Sequence, residues 1–201
     1  MAATLTQHGA EALRGASRAR EIETSRLRLR PFTHEDVGAL SDITADPEVM
    51  RYIGDGLPLS RDETDYNLGT IIDTFARRGY GRWALVEKAG GALLGYCGLA
   101  QPRESPGVEL VYLMARRAWG RGLATEASRA CLRYGFEELG LERVYALTMP
   151  GNRRSRRVLE RVGMKFLRDD RYYGYDCVCY AIDRGDWRRD ASVYRLRPAA
   201  E

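Results

Sequence analysis

The chain has no lysine followed by serine or threonine, few histidines, no CxxC pair and no long apolar run, and each gap removes a class of function. Its only lysines, Lys88 and Lys165, precede Ala and Phe, which excludes a GxxxxGK[ST] phosphate loop. Two histidines, His8 and His34, and four cysteines, Cys97, Cys131, Cys177 and Cys179, offer too few donors at ligand spacing for zinc. We expect no metal, and cysteines that are reduced and in the core. No run of eighteen apolar residues is present, which excludes a membrane-spanning helix. The first 23 residues carry acidic groups and no apolar h-region, so the chain is expected in the cytoplasm.

What remains is a chain of 201 residues, 44% apolar, long enough for one domain with a sizeable core. Residues 1–22 show no sustained periodicity and are expected to be a flexible tail, with one domain over 23–190 and a C-terminal tail over 191–201. The net charge of +4 comes almost wholly from arginine. That is mild for nucleic-acid binding and suits a polyanionic ligand, so no specific nucleic acid is expected.

Periodicity divides the domain. Leu27, Leu29 and Phe32 open a strand; Thr33 with Asp36 marks a helix start, and the helix runs to about Ala45. Further helices are expected over 47–53 and 60–78, the second begun by a Ser60–Glu63 capping box. Strands follow at 82–87, 93–99 and 108–114 as an antiparallel meander. Then come a helix from Leu123, a strand at 144–148, a helix over 152–162, and strands near 164–167 and 177–182. This order predicts an α+β domain around one mixed sheet.

The most informative stretch is LVYLMARRAWGRGLATEASRA, residues 110–130. An apolar strand enters a basic turn containing Gly120 and Gly122, and the turn opens directly into a helix. Such a turn presents unpartnered amide protons at the positive end of a helix dipole, which is an anion site. The glycines let a diphosphate approach the backbone without a Cβ in the way. A dinucleotide GxGxxG is excluded because no third glycine follows Gly120 and Gly122 at the required spacing.

Trp119-Gly-Arg-Gly-Leu-Ala124 resembles the acyl-CoA loop of the GNAT superfamily, [QR]xxGxG/A, with Trp119 in place of the commoner Gln or Arg. WGxGxATEA is similar to the RimJ/RimL-type branch of N-acetyltransferases, as are ETSRLRLRPF at residues 23–32 and PGNRRSRRVLERVGMKF at 150–166. Leu159 stands where many GNAT enzymes carry a Tyr. The resemblance implies a GNAT-like, mostly antiparallel mixed sheet flanked by helices. Its fourth and fifth strands, 108–114 and 144–148 here, splay apart to admit the pantetheine arm. It also implies acetyl-CoA as co-substrate and a primary amine as acceptor: a protein N-terminus, an amino acid or a small-molecule amine.

Carried over residue by residue, the resemblance places Tyr112, Leu113, Met114, Arg117, Trp119, Gly120, Arg121, Gly122, Leu123, Ala124, Asn152, Ser155 and Arg156 on the cofactor. Arg156 belongs to a basic run, Arg153, Arg154, Arg156 and Arg157, of which one or two members face the nucleotide. Glu109 is the candidate general base, set beside apolar neighbours that raise its basicity. A backbone N–H near Leu113 or Met114 is the oxyanion donor. Ser155 is the group for the departing thiolate, although NxxS after Pro150-Gly151 also reads as an ordinary helix cap. Tyr172, Tyr173 and Tyr175 are read as facing residues 46–52 across the acceptor pocket, or as cross-strand packing. Trp119 either shields the diphosphate or packs the loop. Two other readings stay open: a non-catalytic acyl-CoA-binding regulatory domain, and an RNA- or ribosome-associated interaction protein. The chain is expected to be a monomer or homodimer.

Overall fold

The computed structural model describes residues 20–102 and 104–198. Helix starts follow the capping residues. The Thr33 amide donates to Asp36 Oδ2 at 2.9 Å, and a short 3-10 turn over His34–Asp36 leads into α1, Val37–Thr44. Asp36 is buried and takes a bidentate Arg30 guanidinium at 2.7 and 2.6 Å. Desolvation pushes its carboxyl up, but the Arg30 and Thr33 bonds outweigh that and hold it below the usual carboxylate range. Pro47 begins α2, Pro47–Met50, shorter than the 47–53 expected. Ser60 and Glu63 close their capping box at the head of α3, Arg61–Arg78, and Gly79 ends it at φ 72°.

The strands are β1 (Arg20–Glu23), β2 (Leu27–Arg30), β3 (Arg82–Glu87), β4 (Leu93–Ala100), β5 (Glu109–Met114), β6 (Arg143–Thr148), β7 (Lys165–Tyr172), β8 (Tyr175–Asp183) and β9 (Arg195–Pro198). The remaining helices are α4, Leu123–Glu137, and α5, Arg153–Arg161. The sheet order is β7-β8-β6-β5-β4-β3-β2-β1-β9, and only β5 and β6 run parallel. Strand β1 begins inside the stretch read as a flexible tail, and β9 lies inside the expected C-terminal tail. Residues 1–19 lie outside the described residues. Both strands are short and charged, and only a partner at the sheet edge reveals them: Ile22 is buried while pairing with Leu29 and Leu196. The β7–β8 hairpin is longer than expected because most of β7 is exposed and lacks an alternating apolar face.

Apolar residues cover both faces of the sheet. On one face, α4 buries Leu123, Ala127, Cys131 and Tyr134 against Leu94, Leu99, Leu110 and Val144. Trp83 anchors that layer, edge-on to Phe75 at 5.2 Å and to Tyr134 at 5.1 Å, with its indole N–H on Arg20 O at 2.9 Å. Such aromatic pairs add about 0.5–1.5 kcal/mol each beyond their buried area. On the other face, Phe32, Leu40, Ile43, Leu68 and Ile71 pack on Ala84, Leu93 and Leu113. Cys97, Cys131 and Cys179 are buried free thiols, whereas Cys177 is half-buried at the hairpin. No helix among the described residues is long and apolar enough to cross a membrane.

The split that positions the site lies at β5 and β6. These strands share one registered pair, Glu109 with Tyr145, and beside it Tyr145 N–H donates to Val108 O at 2.9 Å. Beyond it they diverge, while β4–β5 and β6–β8 each continue through six pairs. The splayed pair is the one expected by resemblance. It is fifth and sixth in the chain because β1 precedes the strand read as first.

Candidate active site

A cleft of about 600 Å³ opens where β5 and β6 part, lined by β5, the α4 entry loop, the start of α5 and the 48–53 segment. Its floor follows from strand alternation. Ala115 N–H donates to Leu94 O on the β4 side, and Val108 O accepts from Tyr145 on the β6 side. Alternate residues of β5 therefore turn their amides to opposite neighbours: Leu113 toward β4, Tyr112 and Met114 into the split. Of the two positions expected to offer an N–H to an oxyanion, this leaves Met114. A buried N–H without a partner costs about 1–3 kcal/mol, so this edge is disposed to bind a ligand with its own acceptors.

At the mouth, Gly120 and Gly122 have φ 75° and 76°, the left-handed region that L side chains rarely adopt. Gly122 is the N-cap of α4, and a Cβ on Gly120 meets nothing within 4 Å, so the space over that backbone is open. Trp119 packs the loop: its indole N–H donates to Met114 O at 2.8 Å, and the Arg154 guanidinium lies 4.5 Å over its ring. Tyr112, Leu113, Met114, Leu123, Ala124, Asn152 and Ser155 all line the cleft.

Three expected cofactor residues are placed elsewhere. Arg117 donates to Leu93 O at 2.5 Å, Arg121 to Glu87 at 2.5 Å, and Arg156 to the Tyr180 hydroxyl at 3.1 Å. The cations on the cleft are Arg51, Arg153, Arg154, Arg157 and Arg161, since helical phase turns Arg156 toward the sheet while its neighbours face the opening. Sequence reasoning also missed Arg26. It donates to Arg121 O at 2.9 Å and clasps Glu126 at the start of α4, which bonds Thr24 as well at 2.6 Å, and so braces the loop. Nothing local to ETSRLRLRPF signals a contact nearly a hundred residues away.

Asn152 caps α5 by accepting from the Ser155 backbone N–H at 3.1 Å. The Ser155 hydroxyl lies instead 2.8 Å from the Tyr112 hydroxyl. Burial pushes the Tyr112 phenol well above its ordinary value, so it stays protonated and able to donate at neutral pH.

Glu109 is only 5% exposed and sits on the opposite face of β5 from Tyr112. Burial pushes its carboxyl up, while a hydrogen bond from Ser105 and the charge of Arg82 pull it back in part. Its Oε1 has no hydrogen-bond partner among the described residues. The tyrosines of RYYGYD are not brought to the cleft wall formed by residues 48–53. Tyr172 is buried with its hydroxyl on Arg168 at 2.7 Å, and the Tyr173 amide donates to Glu104 at 2.6 Å near Glu109. Tyr52 supplies the aromatic wall instead, with its ring 3.3 Å from where a Gly151 Cβ would stand.

The acetyltransferase (GNAT) domain family matches residues 26–165. YkkB, an uncharacterized protein of Bacillus subtilis, is 35% identical over 165 residues, covering 80% of this chain and 94% of that protein. The FsC-acetyl coenzyme A-N(2)-transacetylase of Aspergillus fumigatus is 32% identical over 187 residues, covering 84% and 78%. Among solved structures, a GNAT-family acetyltransferase from Bacillus anthracis superposes with a TM-score of 0.71 at 26% identity, covering 82% of this chain and 99% of that one.

Proposed function

Because this chain belongs to the GNAT acetyltransferase family, we propose that it moves an acetyl group from acetyl-CoA to a primary amine held over the β5–β6 split. It is an acetyl-CoA-dependent acyltransferase, and the amine acceptor and the residue roles below are our inference. The RimJ/RimL-type branch is part of that inference and rests on WGxGxATEA. The observation that carries the reading is the single Glu109–Tyr145 pair between β5 and β6, which frees the amides of Tyr112 and Met114 beside a glycine turn at the head of α4.

In this reading, amides at Gly120 and Gly122 with the α4 dipole hold the diphosphate, and the basic face of α5 adds positive charge. The free edge of β5 then pairs with the pantetheine amides and aims the thioester carbonyl at the Met114 N–H. Glu109 removes a proton from the acceptor ammonium, directly or through water, and so frees the lone pair that attacks the carbonyl carbon. When the C–S bond breaks, the Ser155–Tyr112 hydroxyl pair steadies the thiolate, which takes up the second proton of the acetylated nitrogen, and the neutral amide leaves.

Incubation with acetyl-CoA and a panel of amines tests the reading by the free thiol released. Release that requires the amine supports it; tight CoA binding with no release across the panel favours a non-catalytic acyl-CoA-binding domain and overturns it. The two roles of NxxS also separate. Ser155→Ala keeps the cap, because the cap uses the backbone N–H, and is expected to slow turnover about 10-fold at unchanged melting temperature. Asn152→Ala removes the cap and is expected to cost about 1 kcal/mol of stability. Unchanged turnover in Ser155→Ala would assign that hydroxyl to structure alone.

A further inference from the structure

We propose that the acceptor is an amino carboxylic acid whose carboxylate docks on Arg82 while its amine faces Glu109. This rests on the acetyltransferase reading of the same site. Arg82 begins β3 and pairs with Gly98 of β4, which pairs in turn with Val111 of β5; Glu109 pairs with Ala100 two residues along. Arg82, Ala84 and Val86 alternate onto one face, and Ala84 and Val86 pack there with Leu113 of β5. Glu109 is in phase with Leu113, so the cation and the carboxylate project from the same face, two strand spacings across and two residues along, with their Cα atoms about 12 Å apart.

Between them β4 offers only Gly98 and Ala100, so no long side chain separates the two heads. Gly98 has its own structural reason, since a Cβ there would lie 2.0 Å from Gly81 O. Val111, beside it, is half-buried rather than sealed by a helix.

Each of the two ionisable groups keeps one buried polar atom that the fold does not satisfy. Arg82 forms no ion pair among the described residues; its guanidinium rests over the Tyr96 ring at 5.5 Å, and its buried Nε has no acceptor. Glu109 Oε1, also buried, has no donor. A buried polar atom without a partner is costly to retain, and these two belong to groups of opposite charge on one face of the sheet. A ligand with an ammonium at one end and a carboxylate at the other satisfies both. Arg is the residue suited to the carboxylate, because its planar fork offers two parallel N–H bonds. The Tyr96 ring under the guanidinium fixes the plane of that fork.

The test compares kcat/KM for glycine, β-alanine, γ-aminobutyrate and the common L-amino acids with that for their carboxamides. Loss of one charge-assisted pair is worth about 10–100-fold, so the acids are expected to exceed their amides by that factor. The spacing preferred in the series reports the gap between the two heads. Arg82→Gln is expected to bring the acid-to-amide ratio near one. It is also expected to move the acidic limb of the pH–rate profile upward, because the charge that holds Glu109 down is gone. A structural role for Arg82 could move the limb through its charge but would leave the ratio unchanged. Acids and amides used equally by the unaltered protein overturn the proposal without recourse to a variant, and leave the acetyltransferase reading standing. So does a ratio that survives Arg82→Gln. Failure of every amine to release thiol overturns both.

Discussion

Glu109→Gln is expected to lower turnover by about 10²–10⁴-fold and, at neutral pH, to raise the melting temperature. The first effect follows from the chemistry of the base: a Gln amide cannot accept the ammonium proton. The second follows from burial. Glu109 is 5% exposed with one oxygen unpartnered, and burial raises its pKa above that of the unfolded chain. For a carboxyl shifted in that direction, folding favours the protonated form. The stability it contributes is present below the unfolded pKa and is lost as pH rises through the folded pKa. At neutral pH the carboxylate therefore costs stability, and the neutral amide removes that cost. The gap in melting temperature should open as pH rises from the ordinary carboxylate range and close again in acid. In parallel, the acidic limb of the parent's kcat/KM profile should be displaced above pH 4.5 and absent from the variant's residual rate. A variant with full rate would remove Glu109 from the chemistry, and one less stable at pH 7 would mean that the fold favours its carboxylate.

Gly120→Val is expected to weaken CoA binding by about 10–100-fold, the value of one charge-assisted backbone bond to the diphosphate. Gly120 has φ 75°, and a Cβ there meets no protein atom within 4 Å. The variant therefore has backbone strain to absorb, about 1–2 kcal/mol, with open space at the Cβ. Its new methyls stand in the space through which a phosphate would reach the loop. Calorimetric titration with CoA, beside a thermal melt, separates loss of the site from loss of the fold. Unchanged affinity would mean that the nucleotide is held elsewhere, and the account of the cleft would fail with it.

The loop itself was legible because its signals are local. A glycine with positive φ, a strand that ends in Met114 and a helix that begins at Leu123 are all written within fifteen residues. Capping at Ser60 and Asn152 was legible for the same reason. The arginines were not. Arg117, Arg121 and Arg156 carry the right charge near the right loop, yet each is held by a distant partner, Leu93, Glu87 or Tyr180. Arg153, Arg154 and Arg157 take the cleft because α5 begins at Arg153 and its phase is fixed by Leu159 packing inward. One long flexible side chain looks like another in a sequence, and which one faces a ligand depends on contacts made across the sheet.

By itself the sequence determined that strands 108–114 and 144–148 flank a glycine turn at a helix N-terminus, since backbone conformation and hydrogen-bonding need are set by neighbours along the chain. It determined the apolar faces too, because their periodicity is a property of consecutive residues. Only the tertiary structure decided which β5 amides are left free, that Arg26 and Glu126 brace the loop, and that Arg82 and Glu109 share one floor. Those facts depend on register between strands far apart in the chain. A shift of one residue would turn each of those side chains to the other face of the sheet.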